Sequence, residues 1–354
     1  MELNKEGSTV ETRGAVTQAP DLVLRLPDDF HLHLRQGEAL ALYARREAAS
    51  FGRALVMPNT VPPIVDGASV SDYRRRILAA LPPGSRFQPL MSFKLVPGMT
   101  GKAVTACAAA GAIVGKYYPA GVTTNAADGP RSFGEVAAAL DAMEELDLVL
   151  CIHGEHPGAP SMERETAFLP EVEKIMARWP RLRVVLEHLS TAEAAAFVAT
   201  GPVRLAATLT AHHLLYTIDD MLGEALTPHL FCKPILKSAS DRRALREAVF
   251  SGSPRFFFGS DSAPHPRARK ESGAAPGGVY SAPTAVPALA GLFEAEGALA
   301  ALPDFLSSHG AAFYRLPAPE GSLKLVRRSW IVPGEIDGVV PMCAGERLSW
   351  DFAF

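Results

Sequence analysis

The sequence predicts an α/β protein whose fold is a (β/α)8 TIM-like barrel with a short C-terminal extension. Short apolar runs alternate with longer stretches of helical periodicity, and the repeats occupy roughly 250 residues, the usual size of this barrel. The runs are continuously apolar, as expected when helices cover the outer face of a parallel sheet. A doubly wound parallel sheet is the alternative that the same alternation allows.

Eight short apolar runs are the predicted strands. In chain order they are Leu22–Leu26, Ala54–Met57, Phe87–Phe93, Ala112–Tyr117, Leu148–Ile152, Val184–Glu187, Val203–Leu209 and Arg255–Phe258. The predicted helices lie between them, and several are preceded by a residue that can cap a helix. Ser190 with Glu193 matches a capping box ahead of the run AAAFVA, and Ser240 is an N-cap candidate.

The chain divides into three predicted parts. Residues 1–20 are a polar tail, residues 21–322 form the barrel, and residues 323–354 form the C-terminal extension. The extension contains Trp330 and a further apolar run near Val339, so we expect it to pack on the barrel.

Composition and charge exclude several classes of protein. The chain has 354 residues, of which 48% are hydrophobic and 21% charged, so it can bury a large core and is not disordered. Its 35 basic and 38 acidic residues leave a net charge of −3, which argues against binding to nucleic acid or to acidic membranes. No apolar run approaches the ~18 to 20 residues that span a bilayer.

The cysteines and the N-terminal residues predict a cytoplasmic protein. The first 20 residues are polar and lack the apolar region of a secretory signal. The four cysteines form no CxxC pair, which argues against a disulfide framework and against a thiolate zinc site. The chain also lacks a glycine-rich dinucleotide motif, a P-loop and a GxSxG elbow, so the matching enzyme classes lose their usual support.

Polar residues at the ends of the predicted strands indicate the chemistry. His31 and His33 follow the first predicted strand, and their spacing places both rings on one face of an extended segment. The other residues at strand ends are Lys116, His153, His188 and Asp261. Each alone could be structural, as a hydrogen-bonded barrel histidine, a lysine that reaches water or a capping aspartate. Together on one rim they predict a catalytic centre for a divalent ion such as zinc.

Six short motifs follow one another along the chain. In order they are DDFHLHLR, VMPN, GKYYPAGVTTN, CIHGE, LEHLS and FFGSDSAPH. Together they resemble the dihydroorotases of the single-function bacterial type, in the amidohydrolase superfamily, from about Pro27 to the region of Tyr314. The resemblance implies reversible cyclisation of N-carbamoyl-L-aspartate to L-dihydroorotate with loss of water, a step of de novo pyrimidine (UMP) biosynthesis. We also expect the chain to form a homodimer. Its other expected binding partner is this small-molecule substrate.

The resemblance further implies a site that holds two zinc ions. The residues that match its metal ligands are His31, His33, Lys116, His153, His188 and Asp261. Lys116 matches a lysine that is carboxylated by carbon dioxide and then bridges both ions. Two zinc ions can lower the pKa of a shared water from 15.7 toward ~7, and the resulting hydroxide attacks the ring amide. Asp261 is the implied catalytic residue, a general acid and base that takes and returns the proton.

A second set of residues matches the family's contacts with substrate. These residues are Arg35, Asn59, His265, Thr123, Thr124, Lys233 and Gly277. The first three match residues that bind the substrate carboxylate, and the two threonines lie in a segment that closes over the substrate. Lys233 and Gly277 would contribute backbone groups, and Lys233 stands where the resemblance leads us to expect an apolar residue.

Two other functions stay open at this point. One is a different cyclic amide hydrolase, of the hydantoinase or dihydropyrimidinase type, and the other is a non-catalytic barrel scaffold. Arg35 with Asn59 argues against the first, because a substrate without a carboxylate leaves the arginine unpaired. The presence of every implied ligand argues against the second. For Arg35 itself, the structural alternative is an ion pair with Asp28 or Asp29.

Overall fold

The structure is a computed structural model that describes residues 20–353. The polar tail predicted for residues 1–20 lies, apart from Pro20, outside the described residues. The strands are β1 (Leu22–Arg25), β2 (Asp28–Leu32), β3 (Arg53–Val56), β4 (Gln88–Lys94), β5 (Ala112–Tyr117), β6 (Val149–Ile152), β7 (Arg183–Leu186), β8 (Leu205–Leu209), β9 (Phe256–Phe258), β10 (Ser322–Ile331) and β11 (Arg347–Phe352).

Helices alternate with the middle strands, as the sequence pattern predicts. The α-helices are α1 (Glu38–Ala48), α2 (Gly67–Ala80), α3 (Gly101–Ala109), α4 (Ala137–Glu145), α5 (Arg164–Arg178), α6 (Ala192–Thr200), α7 (Ala211–Leu215), α8 (Ile218–Leu222), α9 (Ala239–Phe250), α10 (Arg267–Lys270), α11 (Ala285–Ala295) and α12 (His309–Phe313). Short 3-10 helices lie at Phe133–Val136, Pro228–Leu230 and Leu299–Ala301, and a π-helical segment lies at Asp304–Ser308.

Strands β2 to β9 form one parallel sheet of eight strands, in which neighbours along the chain are also neighbours in space. An isolated parallel bridge between Leu32 and Ser262 joins the end of β2 to the segment after β9. This bridge brings the first and last strands together around the barrel axis. The predicted (β/α)8 barrel is therefore confirmed, and the order of the strands excludes a doubly wound sheet.

The first barrel strand is not the one that the sequence predicts. The run Leu22–Leu26 was expected to open the barrel, but β1 pairs antiparallel with β10, outside the barrel sheet. The barrel starts instead with β2, after Pro27, and all five residues of β2 are buried.

Strand β2 shows no apolar pattern because it begins with two buried aspartates, each of which accepts hydrogen bonds inside the fold. Asp28 accepts a hydrogen bond from Arg53 Nε at 2.8 Å. Asp29 Oδ1 accepts one from the backbone N–H of His31 at 3.0 Å and another from Ser260 N–H at 2.7 Å. These partners offset the cost of burying carboxylates, which apolar periodicity cannot reveal.

The C-terminal part of the chain forms a small antiparallel sheet with the start of the described chain. Its strand order is β1–β10–β11. Trp350 of β11 is buried, its backbone oxygen accepts a hydrogen bond from Trp330 Nε1 at 2.8 Å, and the guanidinium of Arg327 lies 4.4 Å from its ring. The division of the chain at residues 20 and 322 stays a prediction.

Two predicted helix caps are displaced by one or two residues. The N-cap of α6 is Thr191, whose hydroxyl accepts from Ala194 N–H, and the backbone N–H groups of both Ser190 and Thr191 donate to Glu165. The N-cap of α9 is Ser238, which forms a capping box with Asp241. Tertiary partners decide these positions, and the local sequence does not show them.

The barrel interior below the active rim is packed with apolar side chains. Phe30 of β2 stacks on Tyr314 with ring centroids 4.8 Å apart and meets Phe257 edge-on at 5.3 Å. A Cβ at Gly310 would lie 2.1 Å from the Phe30 ring, so only glycine fits there. Within residues 20–353, no helix has the length and hydropathy needed to span a bilayer.

Candidate active site

Parallel strands place the predicted ligands at one rim of the barrel. His31 lies in β2 and Lys116 in β5, while His153, His188 and Asp261 directly follow or lie near the ends of β6, β7 and β9. Because the strands run in one direction, these carboxyl ends meet at the same face, where barrel enzymes bind their substrates.

Three ligand atoms converge in the first ligand group, which consists of His31, His33 and Asp261. Asp261 Oδ1 lies 3.3 Å from His31 Nε2 and 3.1 Å from His33 Nε2, and the two nitrogens are 3.3 Å apart. Tetrahedral zinc with bonds of about 2.0 to 2.1 Å places its ligand atoms roughly 3.3 Å from one another. The spacing of the first ligand group therefore fits one metal ion.

The second ligand group consists of His153 and His188. His153 Nδ1 lies 3.2 Å from His188 Nε2, and the His188 ring centroid is 5.0 Å from that of His31. Glu155 Oε2 accepts a hydrogen bond from His153 Nε2 at 2.6 Å, which leaves Nδ1 without a proton. Glu155 thus orients the ring and selects the tautomer that can bind a metal.

Burial keeps the imidazoles of His31 and His188 neutral. The pKa of His31 lies well below its usual value because of burial and the nearby charge of Lys116. The pKa of His188 is also far below normal, through burial first and then the neighbouring His153 and His31. Neutral imidazole is the form that binds a metal ion.

Lys116 lies close enough to both ligand groups for its charge to add to the effect of burial and lower the pKa of His31 and of His188, and it is completely buried. Burial lowers the pKa of Lys116 to about 7. Its Nζ contacts the Glu187 carboxylate and lies 4.9 Å from the centroid of the Tyr118 ring. A neutral amine is the form of lysine that can react with carbon dioxide, so this environment is compatible with carboxylation.

Glu187 is a site residue that the sequence analysis missed. Its Oε1 lies 3.1 Å from His31 Nδ1, on the side of the ring opposite the first ligand group. A carboxylate in this place orients the imidazole, as in other carboxylate–histidine–metal sites. A glutamate directly before a ligand histidine, at the end of an apolar strand, was the available signal.

A cavity that is partly open to solvent lies above the two ligand groups, with about 400 Å³ of empty space when its open mouth is included. The predicted substrate residues that line it are Arg35, Asn59, Thr123, Thr124, Lys233 and Gly277. Tyr118, Ala263 and Gly278 also line it and were not singled out from the sequence. Among the predicted substrate residues, His265 is the one that does not line the cavity.

Arg35 is held at the cavity wall by two neutral hydrogen-bond acceptors. Its Nε donates to Pro264 O at 3.1 Å, and its Nη2 donates to His265 Nε2 at 3.0 Å. Burial and the adjacent Arg35 lower the pKa of His265 to about 3, so this ring stays a neutral acceptor. The alternative pairing with Asp28 or Asp29 is not observed, since Asp28 binds Arg53 and Asp29 binds backbone amides.

The buried Lys270 stabilises the part of the cavity wall that contains Lys233 and Gly277. Lys270 Nζ donates to the carbonyl oxygens of Phe231 at 2.9 Å, Pro276 at 3.1 Å and Gly278 at 2.8 Å. Three carbonyl acceptors satisfy all three protons of an ammonium. Lys270 therefore joins two loops that are distant in sequence into one wall.

Comparisons with known proteins agree with this architecture. A family model described as amidohydrolase matches residues 29–275. The dihydroorotase of Aromatoleum aromaticum is 45% identical over 333 residues, which covers 92% of this chain and 97% of that relative.

Two solved structures are similar over almost the whole chain. The dihydroorotase of Campylobacter jejuni has a TM-score of 0.88 and 37% identity, with 97% of this chain and 100% of that one covered. The Saccharomyces cerevisiae dihydroorotase in complex with 5-fluoroorotic acid has a TM-score of 0.87 and 35% identity, with 94% of this chain and 98% of that one covered. The match to the amidohydrolase model and the similarity to these relatives identify the chain as a hydrolase of a cyclic amide. The chain belongs to the dihydroorotase family.

Proposed function

We propose that the chain catalyses the reversible cyclisation of N-carbamoyl-L-aspartate to L-dihydroorotate, with loss of water, in de novo pyrimidine biosynthesis. The observation that carries this proposal is the two groups of imidazole and carboxylate ligands beneath a cavity whose wall presents Arg35. The yeast relative was solved with 5-fluoroorotic acid, a pyrimidine carboxylate, which supports a substrate of this chemistry.

We propose that two zinc ions occupy the site. The first ligand group would hold one ion and the second ligand group the other, because their spacing and their imidazole and carboxylate donors suit zinc. Lys116, carboxylated on Nζ, would bridge them. Bound zinc supplies polarisation of the ring carbonyl and a water of lowered pKa.

Asp261 would carry the proton during the reaction. One of its carboxylate oxygens faces the two histidines of the first ligand group, which leaves the other oxygen for the proton. In hydrolysis, Asp261 takes a proton as water adds to the ring amide carbon, and it gives that proton to the ring nitrogen as the C–N bond breaks. In cyclisation, Asp261 takes the proton of the carbamoyl nitrogen as that nitrogen bonds to the carboxyl carbon, and it returns the proton to the oxygen that leaves this carbon as water.

The residues of the cavity wall would recognise the carboxylate beside the ring. Arg35 presents a planar guanidinium, which suits a carboxylate better than an ammonium does. His265 would act through Arg35 by accepting its Nη2–H and fixing its direction. Asn59, Thr123, Thr124, Lys233 and Gly277 line the same cavity and would complete the substrate contacts.

Metal analysis combined with an assay tests this proposal. We expect about two zinc ions per chain, with turnover of dihydroorotate and little turnover of an uncharged dihydropyrimidine. Fewer than one metal per chain with full activity would contradict the two-ion site. Equal activity on both substrates would favour the hydantoinase-type alternative instead. The homodimer and the cytoplasmic location stay predictions, and light scattering on the purified chain tests the first.

A further inference from the structure

Lys94 is a buried charged residue whose side chain neither lines the cavity nor bonds to the side chain of a predicted ligand. It is the last residue of β4, and its side chain is 0% exposed. Its Nζ donates to the backbone oxygen of Asn125 at 2.8 Å and forms an ion pair with Asp128. Its backbone N–H donates to Ile64 O at 2.7 Å, which fixes the residue in the barrel wall.

Both side-chain partners of Lys94 belong to the loop of residues 119–130, which follows β5. Thr123 and Thr124 lie in this loop and line the cavity. Within it, the N–H groups of Gly121 and Gly129 both donate to Ala126 O, at 2.9 and 3.0 Å. The loop is therefore a compact unit, and a contact at Asp128 also constrains the threonines.

Asn59 and Asn125 attach the same loop at a second point. Asn59 Nδ2 donates to Thr124 O at 3.2 Å, and Asn125 Nδ2 donates to Asn59 O at 2.9 Å. These are hydrogen bonds between neutral groups, whereas the contact of Lys94 with Asp128 joins two charges. Charge-assisted bonds are roughly twice as strong as neutral ones, so Lys94 is the stronger attachment.

Through this ion pair, the free energy of burying Lys94 in the barrel wall depends on the position of the loop. An ammonium buried without a partner is costly, and the described residues offer Lys94 Nζ only the loop as partner. Asp128 is by contrast about half exposed, at 53% of its side chain, and could be solvated if the loop moved away. Displacing the loop is therefore unfavourable mainly because it leaves the ammonium group of Lys94 buried without a partner.

We propose that Lys94 is a positioning residue that holds the loop of residues 119–130 over the ligand groups through Asp128 and Asn125. It acts on the reaction only through Thr123 and Thr124, so its effect on kinetics rests on the proposed substrate role of these threonines. Its effect on the loop itself does not depend on that role.

The variants Lys94→Met and Asp128→Ala test the proposal, with the exposed Lys102→Met as the matched control. Hydrogen exchange of residues 119–130 is measured on the metal-loaded protein without substrate, together with metal content. We expect exchange in this loop to rise roughly ten-fold or more in both variants, with metal content unchanged. We expect KM for dihydroorotate to rise roughly ten-fold while kcat changes less.

The double variant Lys94→Met/Asp128→Ala distinguishes a specific contact from general damage. If the two residues act through each other, the double variant exchanges no faster in this loop than Lys94→Met alone. Unchanged loop exchange in Asp128→Ala, which alters an exposed residue and leaves the barrel wall intact, would overturn the proposal. A faster-exchanging loop with unchanged KM would support the role of Lys94 and contradict the substrate role of the two threonines.

Discussion

The proposed site has a metal side, formed by the two ligand groups and Lys116, and a substrate side, formed by the predicted substrate residues that line the cavity. The two sides are built in different ways. On the metal side, ligands at strand ends contact one another directly, as in the 3.1 Å approach of His33 and Asp261. On the substrate side, the lining residues lie on loops. Two buried lysines attach those loops, Lys94 to residues 119–130 and Lys270 to the carbonyls of Phe231 and Gly278.

Because of this difference, we expect the two sides to control different properties of the enzyme: the metal side the chemical step, and the substrate side the recognition of substrate. Strand ends are fixed by the register of the barrel sheet, so ligand positions depend on the whole fold. Loops are set by a few polar contacts, so their positions can change without loss of the barrel. We therefore expect changes on the metal side to abolish turnover or metal binding, and changes on the substrate side to act mainly on kcat/KM.

The largest effect is expected from Lys116→Ala on the metal side. The variant removes the proposed bridge between the two ligand groups, so we expect loss of metal and of measurable activity. Short carboxylic acids should restore part of both, because they replace the missing carboxylate. Metal content and activity are measured with and without the acid, beside the exposed Lys174→Ala as control. Full metal content in Lys116→Ala would contradict a bridging role.

The next effect is expected from Asp261→Asn, which keeps the shape of the side chain and one oxygen for the metal. Removal of a general acid and base typically costs ~10² to 10⁴ in rate, and we expect at least that loss in kcat with zinc largely retained. Steady-state kinetics and metal analysis on the same samples check this. Activity within a few-fold of the unaltered protein would refute the assignment.

Arg35→Met tests the substrate side. Charge-assisted hydrogen bonds to a carboxylate are worth about 1.5 to 3 kcal/mol each, at 1.4 kcal/mol per factor of ten. We expect kcat/KM for dihydroorotate to fall roughly ten- to several-hundred-fold with both metals bound. Arg35→Lys is the matched variant and should lose less, because it keeps the charge without the planar fork. Departure of the metals, or an equal loss on an uncharged dihydropyrimidine, would make Arg35 structural.

The smallest effect is expected from Glu155→Ala, which removes the group that orients His153 without removing a ligand. Loss of such a partner typically weakens metal binding 10- to 100-fold, so we expect a zinc affinity reduced within that range. Competition with a chelator measures it, and the exposed Glu163→Ala serves as control. Equal zinc affinities in the two variants would show that His153 needs no orienting carboxylate.

The sequence predicts the barrel well where strands are apolar and poorly where they are not. Strand β5 is recognisable because its residues are mostly apolar, whereas β2 is polar and is stabilised by Arg53 and backbone amides. The apolar run Leu22–Leu26 was therefore mistaken for the first barrel strand. The metal ligands can be predicted from residue type and spacing, because polar residues at the ends of parallel barrel strands must meet on one rim.

The supporting contacts of the site could not be predicted in the same way. His265 lies behind Arg35, and Glu187 lies behind His31, through contacts that span more than 150 residues of chain. Such contacts depend on the packing of distant loops and strand ends, for which one sequence holds no periodic signal. The same holds for Lys94, which local sequence cannot distinguish from any lysine at the end of a strand.

The antiparallel pairing of β1 with β10 makes the order of synthesis important. Leu22 pairs with Leu325 and Arg25 with Ser322, across roughly 300 residues of chain. At ~5 to 20 residues per second, a ribosome exposes β1 for about 15 to 60 s before its partner exists. An unpaired strand in that interval is open to pairing with other chains. Changes in β1 should therefore affect the yield of folded protein in cells more than the stability of the finished molecule.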